Sequence, residues 1–255
     1  MNLRKVVWMA VACSVVAGAA WADPMRTIFT KENKFPEAMR GEIEVGGLYD
    51  DMKNPDSVDD GWAYGLMPTV RFGLAEGFAV KLGVPFVGYD DGINKENGVG
   101  DILVGAELRI FQDIFDYAWI IPYVNVICPS GNEDKGLGRG ETQAHFGVSI
   151  GTTVNDVLHF AADASYAVNG SNAKADDDVA FGSLSLVWDL DERASLLGEI
   201  QLRDDPVDPD DDYVVRGHGG FAFRLNDMFT LAAYVGSSTE ERSDYYAAGR
   251  LIFSF

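Results

Sequence analysis

The sequence predicts an all-β fold, a single antiparallel transmembrane β-barrel of about 12 strands, on three observations. The first is a two-residue alternation of apolar and polar side chains over segments of roughly ten residues, the length that a tilted membrane strand requires. The second is the alternation of the connections between them, short then long. The third is the end of the chain. Tyr245, Ala247, Gly249, Leu251, Phe253 and Phe255 form one apolar row, while Asp244, Tyr246, Ala248, Arg250, Ile252 and Ser254 form the opposite row. Such a strand needs a neighbour on each side and a dry phase reaching the carboxyl terminus, as in the closing strand of a bacterial outer-membrane barrel. A sandwich edge strand ending in Phe is the competing reading.

The elements follow in order. Residues 1–22 have the features of a secretory signal peptide, with Arg4 and Lys5, the apolar run Val6 to Ala20, and a small-x-small site at Ala20-Trp21-Ala22. A lipoprotein reading at Ala12-Cys13 would cut the apolar run through its middle. Residues 23–39, with Pro24 and Pro36, read as a loosely ordered periplasmic lead-in, and residues 40–255 as the barrel. Its first strand sets Ile43, Val45, Gly47 and Tyr49 against Glu42 and Glu44; the second sets Tyr64, Leu66, Pro68, Val70 and Phe72 against Thr69 and Arg71. Phe78, Val80, Leu82, Val84 and Phe86 follow against Lys81, then Ile102 to Ile110 against Asp101, Glu107 and Arg109. The fifth segment, Ala118 to Ile127, is apolar on both rows apart from Asn125. Thr142 to Ile150, Leu158 to Val168, Leu184 to Trp188, Leu196 to Leu202, Tyr213 to Phe223 and Phe229 to Val235 complete the series before the last strand.

Gly73 to Gly77, Gln112 to Tyr117, Thr153 to Val157, Asp191 to Arg193 and Asn226-Asp227 are the short connections. The longer ones, Asp50 to Asp60, Tyr89 to Gly98, Pro129 to Gly140, Asn169 to Asp178, Asp204 to Asp212 and Ser237 to Asp244, hold 22 of the 40 acidic residues and six basic ones. Short periplasmic turns, longer acidic extracellular loops and both termini in the periplasm are the arrangement of an even-stranded outer-membrane barrel. Aromatic residues mark two rims: Phe72, Phe78, Phe111, Trp119, Phe160, Trp188, Phe229 and Phe255 on one, Tyr49, Tyr64, Phe86, Tyr166, Tyr213 and Tyr245 on the other.

Charge narrows the function. Cleavage of the signal removes two basic residues and no acidic one, leaving 18 basic against 40 acidic and a formal charge of −22, which repels nucleic acid. Cys128 is then the only cysteine, so no intramolecular disulfide forms. No apolar run beyond the signal approaches 18 residues, so a spanning protein has to be a barrel.

Gly98, Gly100 and Asp101 open a strand, Pro129, Ser130 and Gly131 make a turn, and Gly136, Gly138 and Gly140 enrich the loop that follows. This pattern resembles the outer-membrane family named for the transporter encoded in the meta-pathway of phenol degradation, with Ser130 where that family has Thr. The resemblance covers about Leu82 to Val168 in detail and only the barrel rhythm beyond. It implies an outer-membrane barrel passing small, often aromatic or apolar, compounds, and it brings no catalytic residues.

The inner rows carry Glu42, Glu44, Arg71, Lys81, Asp101, Glu107, Arg109, His145, Asp163, Glu199, Arg203, Arg216, His218, Arg224 and Arg250. A basic residue on the lipid side would cost about 2 to 4 kcal/mol at the midplane, so these side chains are expected in the lumen. There they form either a charge-lined constriction or pairs that partly plug a narrow interior. His145, His159 and His218 lack ligand spacing, so neither a metal nor a cofactor is expected. Phospholipase and omptin chemistry would need a His followed by Ser, or a His in an outer loop, and neither occurs. A Ser, His and acid trio assembled by folding is the remaining enzymatic arrangement. The tracts Asp204 to Asp212 and Asp176 to Asp178 are read as solvated, with calcium or lipopolysaccharide-bridging cations as the sharper alternative. The expected partners are outer-membrane lipid and lipopolysaccharide, a small solute, and the barrel-insertion machinery through the strand ending at Phe255. The expectation is a Gram-negative outer-membrane channel, not an enzyme; the alternative is a closed structural or adhesive barrel acting through its acidic loops.

Overall fold

The computed structural model describes residues 25–52, 61–90, 94–114, 118–169, 179–204, 213–239 and 243–255. The signal-peptide segment and most residues of the acidic loops lie outside them. Fifteen strand segments form one antiparallel sheet: β1 (Gly41–Met52), β2 (Gly61–Ala75), β3 (Phe78–Gly83), β4 (Phe86–Asp90), β5 (Lys95–Val99), β6 (Ile102–Leu108), β7 (Phe111–Ile114), β8 (Ala118–Cys128), β9 (Gln143–Val154), β10 (Leu158–Val168), β11 (Val179–Asp189), β12 (Ala194–Asp204), β13 (Tyr213–Arg224), β14 (Phe229–Ser238) and β15 (Ser243–Ser254). β15 pairs with β1, which closes the cylinder.

Three of the fifteen are continuations, so the barrel has 12 staves. β3 pairs with the periplasmic half of β2 and β4 with its outer half, the break falling at Val84-Pro85, where proline has no N–H to give. β5, β6 and β7 form the next stave, interrupted at Gly100-Asp101 and again at Arg109-Ile110. The expected loop Tyr89 to Gly98 is therefore mostly hairpin, because Tyr89↔Glu96 and Asp90↔Lys95 continue the ladder.

Outside, Leu184, Ile200, Leu202, Val235 and Leu251 stand exposed in the hydrocarbon zone. Exposed Tyr49, Tyr64, Phe86, Tyr166, Tyr213 and Tyr245 mark one rim, with Phe111, Phe160 and Trp188 at the other. Trp119 departs from the expected girdle. It is buried inside with Ile121 and Ala161, because β8 presents Trp119, Ile121, Tyr123 and Asn125 to the interior. With both rows of β8 apolar, hydrophobicity alone could not set its direction.

Inside, large rings lie over cross-strand glycines. Trp119 faces Gly151, Tyr123 faces Gly147, Tyr234 faces Gly220 and Tyr246 faces Gly236. A Cβ on any of these four glycines would come within 2.9 Å of its ring. A narrow barrel accommodates rings this way, with the missing side chain on one strand making room for the aromatic on the next.

The loop 129–142 folds toward the mouth. Asp101 Oδ1 accepts from Ser130 N–H (3.0 Å) and Gly131 N–H (2.9 Å), and its Oδ2 accepts from Arg139 N–H (2.7 Å). Ser130 Oγ donates to Gly100 O and accepts from Ile102 N–H. Gly131 and Gly138 pack backbone to backbone, and the loop carries buried Leu137 to the inner side of Gly98 and Gly100. Asp101 thus fastens a loop to the broken stave, with three backbone amides satisfying its carboxylate.

Gly220→Val places a Cβ about 2.2 Å from Ala233 O and is expected to lower stability by about 1–3 kcal/mol or more, seen as a lower temperature for loss of the compact band on unheated gels. Gly198→Val has 3.8 Å of clearance and is expected to leave that temperature unchanged.

Candidate functional site: a barrel filled by its N-terminal segment

Residues 25–35, within the stretch 23–39 expected as a loosely ordered lead-in, are not loose. Arg26, Thr27, Thr30, Lys31 and Glu32 are buried, and all of them lie within the cylinder. The physical reason is the supply of polar partners inside. The wall has carboxylates and hydroxyls to satisfy, and this segment brings backbone amides and the buried cations Arg26 and Lys31 to them.

Glu199 on β12 is the centre. Its carboxylate accepts three consecutive backbone N–H groups, from Ile28 (2.6 Å), Phe29 (3.1 Å) and Thr30 (2.9 Å). His218 Nε2 lies 2.8 Å from the same carboxylate, with its Nδ1 2.9 Å from Tyr246 Oη. Both His218 and Glu199 are almost wholly buried, and the Phe29 ring packs on the imidazole at 4.9 Å between centroids. The Ile28 side chain meets the apolar cluster of Val187, Leu197, Ala222, Ala232 and Tyr234.

The rest of the segment is bound residue by residue. Arg26 pairs with Glu32 (2.9 Å) and with Asp189, and donates to Ser195 Oγ (2.9 Å). Arg250 and Tyr234 donate to the carbonyls of Thr27 and Arg26. Thr30 and Ser183 share a hydroxyl hydrogen bond of 2.9 Å, and Ser149 Oγ donates to Lys31 O at 3.0 Å. Lys31 Nζ pairs with Glu107 at 2.6 Å and lies 4.5 Å from the Tyr123 ring centre. Arg71 donates to Lys34 O, Arg109 donates to Asn33 Oδ1 (3.1 Å), and both guanidinium groups flank the Phe35 ring. Met39 and Arg40 then pair with Gly73, leading the chain into β1.

The remaining inner-row charges divide by level. Glu42, Arg71 and Glu107 form one buried chain, and Arg250 Nε donates to Glu44 at 2.7 Å. Asp163 accepts from Tyr123 Oη at 2.7 Å, and the His145 ring packs near Tyr123 and Phe181. Arg224 lies at the periplasmic end with Arg26, Asp189 and Asp227. Arg203 and Arg216 are partly exposed on β12 and β13. The fifteen residues therefore do not form one constriction. Lys81 meets Glu42, Glu44, Arg71, Glu107 and Arg250 at a cavity of ≈ 300 Å³ between the N-terminal segment and the walls β1, β2, β3, β6 and β15. Leu48, Met67, Pro85, Leu103, Ala248 and Ile252 are among its apolar lining residues.

The histidines lie apart: His159 bonds Thr153 and Asp189 near the periplasmic turns, well separated in sequence and partners from His145 and His218. Sequence reasoning missed Asp189, Ser195, Ser183, Ser149 and Tyr234 as partners of the segment. The available signal was the sequence Arg26 to Phe35, which mixes charges with Ile28, Phe29 and Phe35 and contains none of the Gly or Ser typical of a linker.

A closed antiparallel barrel of 12 staves, with an apolar exterior and a charged interior, is an outer-membrane β-barrel. The chain belongs to the family described as "Putative MetA-pathway of phenol degradation", whose model matches residues 26–254. Among solved structures it is similar to the COG4313 outer membrane channel from Pseudomonas putida F1, with a TM-score of 0.72, 12% identity, and 92% of this chain and 100% of that one covered. The KdgM porin matches at TM-score 0.57 and 12% identity, over 84% of this chain and 99% of that one. The Ralstonia pickettii toluene transporter TbuX matches at 0.53 and 8%, over 93% and 97%. No curated protein matches the chain.

Glu199→Ala removes the acceptor for three amides. Hydrogen bonds to a charged group contribute about 1.5–3 kcal/mol each, so amide exchange at Ile28, Phe29 and Thr30 should accelerate by about a hundredfold or more while the strand amides stay protected. Unchanged exchange at those three amides would contradict the assignment.

Proposed function

We propose that this chain is a passive outer-membrane channel for small apolar solutes, aromatic compounds among them, closed on its periplasmic side by residues 25–35. One observation carries the reading. Most charges of the wall are engaged by the N-terminal segment or by each other, and the space left above it is a cavity whose walls are largely apolar. An interior of this kind suits a hydrocarbon ring better than a hydrated ion or a sugar. The likeness to the toluene transporter TbuX and to the COG4313 outer membrane channel supports the same reading.

Within it, Glu42, Glu44, Arg71, Lys81, Glu107 and Arg250 bound the cavity, while Glu199 and His218 hold the closing segment. Release to the periplasm requires that segment to shift. The protein reaches the membrane with residues 1–22 removed as a signal peptide, and the insertion machinery engages the strand ending at Phe255. The tyrosine-rich rim meets lipid and lipopolysaccharide, and the barrel performs no chemistry on its solute.

Uptake of radiolabelled toluene at micromolar concentration, by cells whose outer membrane carries the chain, is expected to exceed that of cells lacking it several-fold, with sugar uptake unchanged. Deletion of residues 25–35 should then admit sugars and give a larger single-channel conductance step in planar bilayers. Equal toluene uptake with and without the chain, and no conductance after the deletion, would favour a closed structural barrel.

A further inference from the structure

The lumen cavity has an uneven charge balance. Four cations reach it, Lys31, Arg71, Lys81 and Arg250, against three carboxylates, Glu42, Glu44 and Glu107. The pairings leave one cation over. Arg250 is matched by Glu44, Arg71 by Glu42 and Glu107, and Lys31 by Glu107. Lys81 makes no ion pair among the described residues; it lines the cavity together with Lys31 and Arg71, and Glu107 is taken by those two. Two like charges side by side in a low-dielectric interior repel strongly, and an anion placed between them turns that repulsion into attraction.

The backbone makes room for this arrangement. Lys81 stands opposite Arg71 on β2 and Gly105 on β6. A Cβ on Gly105 would meet Lys81 Cε at 2.6 Å and Asn125 Oδ1 at 2.4 Å, so the glycine lets the Lys81 stem lie across the wall. Asn125 Oδ1, on the far side of Gly105, is buried and has no hydrogen-bond partner. On the other side the cavity is apolar, with Leu48, Met67 and Leu103, and Gly65 leaves it open, with no atom within 4 Å of where a Cβ would stand.

We propose that this cavity binds a small organic anion with a flat apolar body, of the aromatic carboxylate class. The carboxylate lies between the ammonium groups of Lys81 and Lys31, and the ring lies against Leu48, Met67 and Leu103. Binding brings the lining to four positive and four negative charges. The overall charge of −22 without residues 1–22 repels anions at the mouth, but that field is screened over about 8 Å at physiological salt and acts on the rate of entry, whereas the local excess of cations governs occupancy. The proposal rests on the passage reading in one respect, that a solute has to enter the lumen to reach Lys81.

The test compares benzoate with benzamide, its neutral counterpart of the same shape, by ligand-observed NMR titration of the full chain in detergent. Benzoate is expected to bind at least tenfold more tightly than benzamide. Lys81→Met should weaken benzoate at least tenfold and leave benzamide unchanged, while Lys81→Arg retains the preference. Gly65→Leu fills the cavity and leaves every charge in place; it should weaken both ligands, and it serves where Lys81→Met does not fold. Equal affinity for the two ligands, absence of benzoate binding to the unaltered protein, or benzoate affinity indifferent to both Lys81→Met and Gly65→Leu would overturn the proposal. Toluene uptake by cells is a separate measurement, so the channel reading can survive the failure of this one.

Discussion

The carboxylate of Glu199, accepting the amides of Ile28, Phe29 and Thr30, is the contact around which the interior is arranged. It is a charge inside a cylinder whose outside is hydrocarbon, so it has no bulk water to turn to and has to be satisfied by protein. His218 takes one side of it and the N-terminal segment takes the rest. Once those three amides are fixed, the neighbouring residues fall into place: Arg26 beside Asp189 and Ser195, Lys31 beside Glu107, and Phe35 between Arg71 and Arg109.

The same constraint explains both faces of each strand. Apolar side chains face lipid because a charge there costs several kcal/mol, and the charges this sends inward exceed what a 12-stave lumen can leave in water. They pair with one another at Glu42, Arg71 and Glu107, and with backbone at Thr27, Lys34 and residues 28–30. A wider barrel would keep a water-filled channel. This one is filled by its own chain over part of its length and keeps a cavity with one apolar side and one charged side over another part.

Much of the wall was legible in the sequence because strand alternation is a local property. The outward rows of Leu184, Leu186 and Trp188 or of Tyr245 to Phe255 follow from period two alone, and the stave count follows from the turns. The family pattern Gly-x-Gly-Asp was readable as a motif, yet its purpose was not, since the amides that Asp101 binds are some thirty residues away. β8 was ambiguous because both its rows are apolar, and only packing over Gly151 turns Trp119 inward. The N-terminal segment was the largest miss. Its residues have no periodicity, and the wall residues that hydrogen-bond to it are 37 to 223 positions away. Information of that kind does not reside in the segment itself.

The claim on which the account turns is that residues 25–35 occupy the lumen, and cross-linking tests it most directly. Thr30 Oγ1 and Ser183 Oγ are 2.9 Å apart, so cysteines at these two positions, with Cys128 replaced, should form a disulfide in native outer membranes without added linker. The account predicts a cross-linked peptide joining the N-terminal segment to β11 in most molecules, absent when Thr30 is paired instead with a cysteine at Leu184 on the lipid face. Failure of the Thr30–Ser183 pair to cross-link under oxidising conditions, in a barrel that remains heat-modifiable, would contradict it.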